Sequence, residues 1–407
     1  MKSIFTLSIL SLALALQSQT IKNFKTSDGL PNNNVLCLTA DASNNMWFGT
    51  QSGVAKYNGS LWTIYDKTSN PEIPNNTITA IAALRNGNIW IGTDYGVSVY
   101  DGSKWTSYTT ADGLGSNRVN YITELTNGDI WISDFNGATK YSGATFTKYG
   151  SVDGLPFGGV QQIQEAKNGD IIMATGLGGL VKYDGSNFEA YKTTEGLLSN
   201  SSTSLALDNG SNIWVGTGAG VSVFDSNYTS IENFTRLYKL PEPDTLNPVE
   251  DVKIDSKGQI WVGIYVDYLV SVGGVSMYDG NTWVEFDESN GLAGPTIRNM
   301  CIDLNDNVWV ATSKGVSRIN SGTSSVSKIF TQGFHLFPNP TRNLLTIAYE
   351  QHSGANNTSI KIYNTAGQLQ LTQPLSVGFS TTLSMKSFTP GFYIVKVGNR
   401  TKKLEIY

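Results

Sequence analysis

Asn88-Ile89-Trp90-Ile91-Gly92-Thr93, followed by Gly96-Val97 and a run to Tyr100, then by Asp101-Gly102-Ser103 and the pair Trp105 and Tyr108, decides the fold. The first six residues alternate and are rich in β-branched and aromatic side chains, as a strand requires. Gly96 ends a turn and opens the next strand. Asp-Gly accepts the positive φ angles of a tight hairpin, so a further strand returns through Trp105 and Tyr108. The phrase recurs with anchors at Trp47, Trp90, Trp131, Ile172, Trp214, Trp261 and Trp309, which stand 43, 41, 41, 42, 47 and 48 residues apart. Turn glycines follow at Gly53, Gly96, Gly137, Gly179, Gly220, Gly274 and Gly315. Four antiparallel strands in a repeat of about 40–45 residues are the pattern of a β-propeller blade. The seventh repeat stops after its third strand, at Ile319-Asn320. Ile21 and Phe24 have the spacing of Trp62 and Tyr65, and they precede Asp28-Gly29-Leu30 as Trp105 and Tyr108 precede Asp112-Gly113-Leu114. The N-terminal strand is therefore expected to complete the last blade and remove the ring's free edges.

The expected fold is all-β: a seven-bladed β-propeller over residues 19–320, closed by an N-terminal strand, and a small C-terminal β-sandwich over 329–407, joined by a Ser/Thr/Gly linker at 321–328. Residues 1–18 read as a secretory signal peptide, with Met1-Lys2, an apolar run from Ile4 to Leu16, and polar residues after it. That run falls short of the roughly 20 residues that span a bilayer, and no later segment is long enough. The net charge of −5 is unevenly shared: residues 329–407 carry +5, leaving −10 on the rest. An acidic ring argues against nucleic acid as a partner. With only Cys37 and Cys301 there is no disulfide framework. Ring closure would make their repeats neighbours, but buried free thiols acting as small hydrophobes are the preferred reading.

Asp-Gly-Leu-x-x-Asn, then Asn-Gly-x-Ile-Trp-Ile-Gly-Thr, then Gly-Val-x-x-Tyr resemble the two-component regulator propeller repeat. The resemblance implies the propeller fold and an extracytoplasmic binding role; in that family such propellers form sensor halves of hybrid histidine kinases. The end of the chain, with Phe337-Pro338-Asn339-Pro340, Leu345-Thr346-Ile347, Ile362 through Gly367-Gln368, Pro390-Gly391-Phe392-Tyr393 and Lys402-Lys403-Leu404, resembles the type IX secretion C-terminal sorting domain of Bacteroidota. It implies that residues 329–407 engage the type IX secretion machinery and that the protein is secreted or attached to the outer-membrane surface.

The only histidines, His335 and His352, lie in the tail. The ring thus lacks the usual general base near neutral pH and the usual zinc ligand. No catalytic residue, metal or cofactor is expected. Acidic phrases such as Asp41 to Asn45 and Asp303 to Asn307 resemble a calcium loop for a few residues, but they lack its glycine and distal Glu and read as hairpin turns. Candidate binding residues come from what differs between repeats. The segment from Phe234 to Val249 is 15 residues against the common 11, and Trp261 to Gly274 is 13 against the usual 6 or 7. Together with the 13-residue segment from Tyr65 to Ile78, both of these long connections fall on one rim of a four-strand meander. They carry Glu242, Asp244, Tyr265, Asp267 and Tyr268, with Glu250, Asp251 and Arg298 entering the inner strands nearby. Aromatic faces beside carboxylates suit sugars. The expected function is a monomeric, exported propeller that binds a polysaccharide, peptide or surface protein. The alternatives are a structural adhesin and a carbohydrate-active enzyme using carboxylates alone.

Overall fold

The computed structural model describes residues 20–156, 158–235, 248–264, 273–320, 335–337, 341–342, 344–352, 359–374, 378–397 and 400–407. The segments expected to be a signal peptide and a linker, and the long connections at 236–247 and 265–272, lie outside these. The chain divides into two units, Met1–Ser324 and Ser325–Tyr407.

In the first unit the described strands form seven four-stranded antiparallel sheets. Sheet 2 is typical. Ile78–Ala83, Ile89–Thr93, Gly96–Tyr100 and Trp105–Tyr108 pair in sequence order, with Ile81 opposite Ile91, Trp90 opposite Val99 and Tyr100 opposite Trp105. The inner strands of sheets 1 to 7 are Val35–Ala40, Ile78–Ala83, Val119–Glu124, Val160–Glu165, Ser202–Leu207, Val249–Ile254 and Ile297–Ile302. Each packs against the next, and Val35–Ala40 packs against Ile297–Ile302, which closes the circle. The outer strand of sheet 7 is Ile21–Phe24, with Ile21 opposite Ile319 and Phe24 opposite Val316.

The anchor tryptophans are buried between sheets. Each stacks on the aromatic residue that ends its own sheet's outer strand: Trp47 on Tyr65, Trp90 on Tyr108, Trp131 on Tyr149, Trp214 on Phe234 and Trp261 on Phe286, at 5.0–6.1 Å between centroids. Trp309 stacks on Phe24 at 5.3 Å, so the first strand of the chain fills the same structural role as the outer strands of the other sheets. The Asp-Gly-Leu-x-x-Asn phrase also acquires a physical meaning. Asp112 accepts from the Thr109 amide and Asn117 from the Thr110 amide, both at 2.8 Å, while Leu114 plugs the core between them. Gly113 takes φ +112°, where a side chain would be strained.

The acidic hairpin phrases are turns with a further task. Asp41, Asp208, Asp255 and Asp303 each accept a hydrogen bond from the indole N–H of the tryptophan six residues on, at 2.8–3.1 Å. Such a bond to an ionised acceptor contributes about 1.5–3 kcal/mol and fixes the indole in its slot. Neighbouring turns are tied as well. Glu124 accepts from Arg85 N, Glu165 from Thr126 N, Asp306 from Ser256 N, and Asn44 from Leu304 N.

The second unit holds two antiparallel sheets among its described residues. One is three-stranded (His335–Phe337, Leu344–His352, Gly378–Ser384); the other is four-stranded in the order Leu369–Pro374, Ser359–Asn364, Gly391–Val397, Arg400–Ile406. Leu345, Ile347, Ile360, Ile362, Leu383, Tyr393, Val395 and Leu404 from both sheets share one apolar cluster.

Candidate ligand-binding mouth

The seven inner strands surround a cavity of about 900 Å³, to which all seven contribute. An inner strand has one edge with no partner in its own sheet, so its backbone groups must be satisfied by side chains or water. Three residues at the third position of their strands do this for the strand that follows. Gln162 accepts from Leu205 N at 2.7 Å, Asp251 from Met300 N at 2.8 Å, and Asn299 from Leu38 N at 3.1 Å.

A second regularity sits one residue earlier. In all seven sheets the pairing of inner and second strand slips between the first and third residues of the inner strand. Such a slip is a β-bulge, which frees the extra residue from the ladder and re-aims its side chain. The bulged residues are Leu36, Thr79, Asn120, Gln161, Thr203, Glu250 and Arg298, and all line the cavity. They form a ring at the front mouth, the end at which the inner strands begin. Thr79, Asn120 and Thr203 donate to the carbonyls of Val119, Val160 and Val249 on the next inner strand, at 2.6, 3.0 and 2.7 Å.

Among the bulged residues, charge is confined to sheets 6 and 7. Asp251 is buried and fully engaged: besides Met300 N it accepts from Val252 N at 3.0 Å, Lys253 Nζ at 2.6 Å and Asn299 Nδ2 at 3.0 Å. Burial works against the charge on Lys253, but Asp251, helped by Tyr121 and Cys301, raises the lysine's pKa on balance. Glu250 is pushed up to about 7, chiefly by burial and also by the Asp251 charge, against the opposing pull of Arg298. Arg298 carries its Nε buried with no acceptor. Across the mouth, the turns between second and third strands of sheets 2, 3 and 4 present Tyr95, Phe135 and Leu177, all more than half exposed.

Of the sequence-predicted binding residues, Glu250, Asp251 and Arg298 meet in the cavity, and Asp251 serves the ring's own hydrogen bonding. Glu242, Asp244, Tyr265, Asp267 and Tyr268 lie outside the described residues. Sequence reasoning missed the bulge ring and the apolar arc; an aromatic one or two residues after the anchor strand's closing Thr or Asp was the available signal for Tyr95 and Phe135. Both cysteines are free thiols. Burial drives the Cys37 thiol far up and Cys301 to about 11. No cluster of three or more His, Cys, Asp or Glu able to hold a metal occurs among the described residues. No helix there is long and apolar enough to cross a membrane.

In the tail, Asn364 accepts from Ala366 N at 3.1 Å and Gln368 N at 2.9 Å, and Gly367 takes φ +79° to complete that turn. Gly391 opens the strand that pairs with the last one, with φ +150°. Lys402 and Lys403 are exposed on that last strand, where Lys403 Nζ lies 3.7 Å over the Phe392 ring. Phe337 pairs with Thr346, and Pro338, Asn339 and Pro340 lie outside the described residues.

Residues 335–406 match the secretion system C-terminal sorting domain. Residues 29–52 and 72–95 match the two component regulator propeller. No curated protein matches the chain in sequence. Among solved structures, the extracellular domain of a hybrid two component system, BT3049 of B. thetaiotaomicron, is similar at TM-score 0.63 and 20% identity; the match covers 95% of this chain and 54% of that one. PorZ, an essential surface component of the type-IX secretion system of Porphyromonas gingivalis, is similar at TM-score 0.56 and 17% identity, over 92% of this chain and 60% of that one. A catalytically inactive histidine-to-alanine form of virginiamycin B lyase from Staphylococcus aureus, with quinupristin, is similar at TM-score 0.58 and 13% identity, over 74% and 99%. At these identities the likeness is one of fold, and the chain spans little more than half of the first two proteins.

Proposed function

We propose that this protein, built of two component regulator propeller repeats ahead of a secretion system C-terminal sorting domain, is an exported seven-bladed propeller that binds a glycan or peptide at its front mouth without transforming it. The seven sheets are its blades over 19–320, and the two sheets of the tail are a sandwich over 329–407. The sorting domain implies delivery to the cell surface or beyond. The observation that carries the binding reading is the ring of bulged residues: seven side chains freed from pairing, facing one 900 Å³ cavity, with exposed Tyr95, Phe135 and Leu177 at the same rim. Glu242, Asp244, Tyr265, Asp267 and Tyr268 stay part of the proposed surface on their place in the sequence alone, in the two long connections that flank the sheet 6 strands.

Absence of histidine before His335 supports binding over lyase chemistry, because the similar lyase is inactive once a histidine is replaced. Two experiments test the reading. Deleting residues 329–407 leaves a folded propeller in the periplasm; normal surface delivery of the truncated chain would sink the sorting assignment. A calorimetric panel of oligosaccharides and peptides finds a ligand whose affinity falls several-fold in Tyr95→Ala and in Phe135→Ala, at about 1 kcal/mol per ring. A ligand indifferent to both rings and to the bulged residues would place binding elsewhere. Likeness to PorZ favours a second reading, a scaffold of the secretion apparatus itself. In that case deleting the gene would block export of other proteins carrying the same tail.

A further inference from the structure

The seven bulged positions are equivalent in backbone and unequal in chemistry. Leu36, Thr79, Asn120, Gln161 and Thr203 are uncharged; Glu250 and Arg298, on adjacent sheets, are the two charges of the ring. The charges just below are already paired, since Asp251 holds Lys253. Neither the Glu250 carboxylate nor the Arg298 guanidinium makes a hydrogen bond or ion pair with a described residue, and the Arg298 Nε is buried with nothing to accept its proton. A buried donor left unsatisfied costs about 1–3 kcal/mol, which an acceptor on a ligand would relieve. Glu250 presents the complementary mismatch. At the equivalent positions Thr79, Asn120 and Thr203 act as donors, a role an ionised carboxylate cannot fill.

We propose that the front mouth binds a uronic acid residue of an acidic oligosaccharide, its carboxylate docking on Arg298 and lying against Glu250, which takes up one proton from solvent as the sugar arrives. This deepens the ligand-binding reading and rests on it. The planar guanidinium fork matches a carboxylate with two parallel hydrogen bonds. Two carboxylates side by side cannot both stay ionised, and a proton between them turns repulsion into a hydrogen bond. A phosphate dianion would keep its charge against Glu250 and is disfavoured. The rest of the lining suits a sugar: Thr79 and Thr203, whose protons go to the next strand, offer neutral acceptors, Asn120 and Gln161 offer neutral donors and acceptors for hydroxyl groups, and Tyr95 and Phe135 stand exposed at the rim for ring stacking.

Among the described residues, the charged groups facing Glu250 are Arg298 from the following inner strand and Asp251 from its own; Thr203, from the preceding strand, is neutral. Glu250 already sits near 7 in the free protein, and an arriving anion raises it further. Affinity is therefore complete well below pH 7 and lost as pH rises through it. With the free carboxyl near 7, binding is about tenfold tighter at pH 6 than at pH 8.

The test uses the full chain and calorimetry against tetrasaccharides of galacturonic, mannuronic and glucuronic acid, their methyl esters, and a peptide offered with a free or an amidated C-terminal carboxyl. Titrations run at pH 6 and pH 8 in two buffers of different ionisation enthalpy, and each variant's melting temperature is recorded. At least one uronate is expected to bind. Esterification should weaken it at least about tenfold, as loss of a charge-assisted pair requires, and uptake of close to one proton should accompany binding at pH 8. Arg298→Met should abolish binding at both pH values, and Arg298→Lys, which keeps the charge and loses the fork, should weaken it. Glu250→Gln should bind equally at pH 6 and pH 8 with no proton uptake. A methyl ester that binds as well as the acid, a native chain indifferent to pH, or a free-carboxyl peptide that binds where no uronate does would each overturn the proposal. If neutral sugars bind through Tyr95 and Phe135 and ignore Arg298, the inference falls and the ligand-binding reading stands. If no arm binds, both fall.

Discussion

Phe24→Ala is the sharpest probe of how the ring is closed. Phe24 is 3% exposed and stacks on Trp309 at 5.3 Å, with Tyr57 at 5.5 Å and Trp62 at 6.0 Å on the neighbouring sheet. Its ring therefore touches both sides of the seam between the last sheet and the first. Removing a buried phenylalanine side chain costs about 3–5 kcal/mol, the cavity included. For a unit of this size each kcal/mol lowers the melting temperature by about 2–3 °C, so a drop of about 6–15 °C is expected. Lys22→Ala is the control: the lysine sits over the Phe24 ring at 4.8 Å, is exposed, and is worth about 1 kcal/mol or less. Differential scanning calorimetry of the two variants beside the parent decides the matter. Equal melting of Phe24→Ala and Lys22→Ala would mean that the first strand lies on the ring without holding it shut.

Asp251→Ala strands Met300 N, Asn299 Nδ2 and the Lys253 ammonium in the channel, so urea denaturation should show a loss of about 3–5 kcal/mol, with Asp251→Asn losing less. Glu250 has a folded-state pKa raised to about 7 from 4.5, so it opposes folding once pH exceeds its unfolded value. Glu250→Gln should accordingly melt higher than the parent at pH 8, with the gap closing as pH falls toward about 4.5; a gap that widens on acidification would contradict the buried carboxyl. Cys37 is buried and Cys301 partly buried, both with thiols pushed to high pKa, and neither should react quickly with iodoacetamide at pH 8 in the native protein, while both react after denaturation. Fast native labelling, read by mass spectrometry, would place a thiol at the surface.

The four-strand repeat and the strand that completes the last sheet were legible because each rests on spacing. Ile21 and Phe24 repeat the interval of Trp62 and Tyr65, and the structure pairs Phe24 with Val316 as it pairs Tyr65 with Val54. The Asp–Trp bonds were in reach, since Asp41 and Trp47, Asp208 and Trp214, Asp255 and Trp261, and Asp303 and Trp309 are all six apart. Reading the aspartates as turn formers alone hid the second use of the same carboxylate. The bulge ring was not legible. A bulge adds one residue to one strand, and a strand's alternation does not reveal which residue its partner skips. Glu250 and Arg298 were singled out for lying near long connections, whereas their position is set by that skipped pairing. Tyr95 and Phe135 went unnoticed because loop length, and not loop content, guided the search.

Closure by the first strand also determines how the ring bears a load. The chain leaves the last sheet at Ile319, the end of a strand paired with Val308–Thr312 on one side and Ile21–Phe24 on the other. Tension applied from beyond Asn320, as on a protein held by its tail, is met by two hydrogen-bonded ladders loaded along their length, which must slip together. Had the chain ended on its own outer strand, the same tension would pull on a strand held along one edge only, with no second ladder to share it. A sequence whose last repeat is completed from its beginning thus leaves the sheet on a strand paired along both edges.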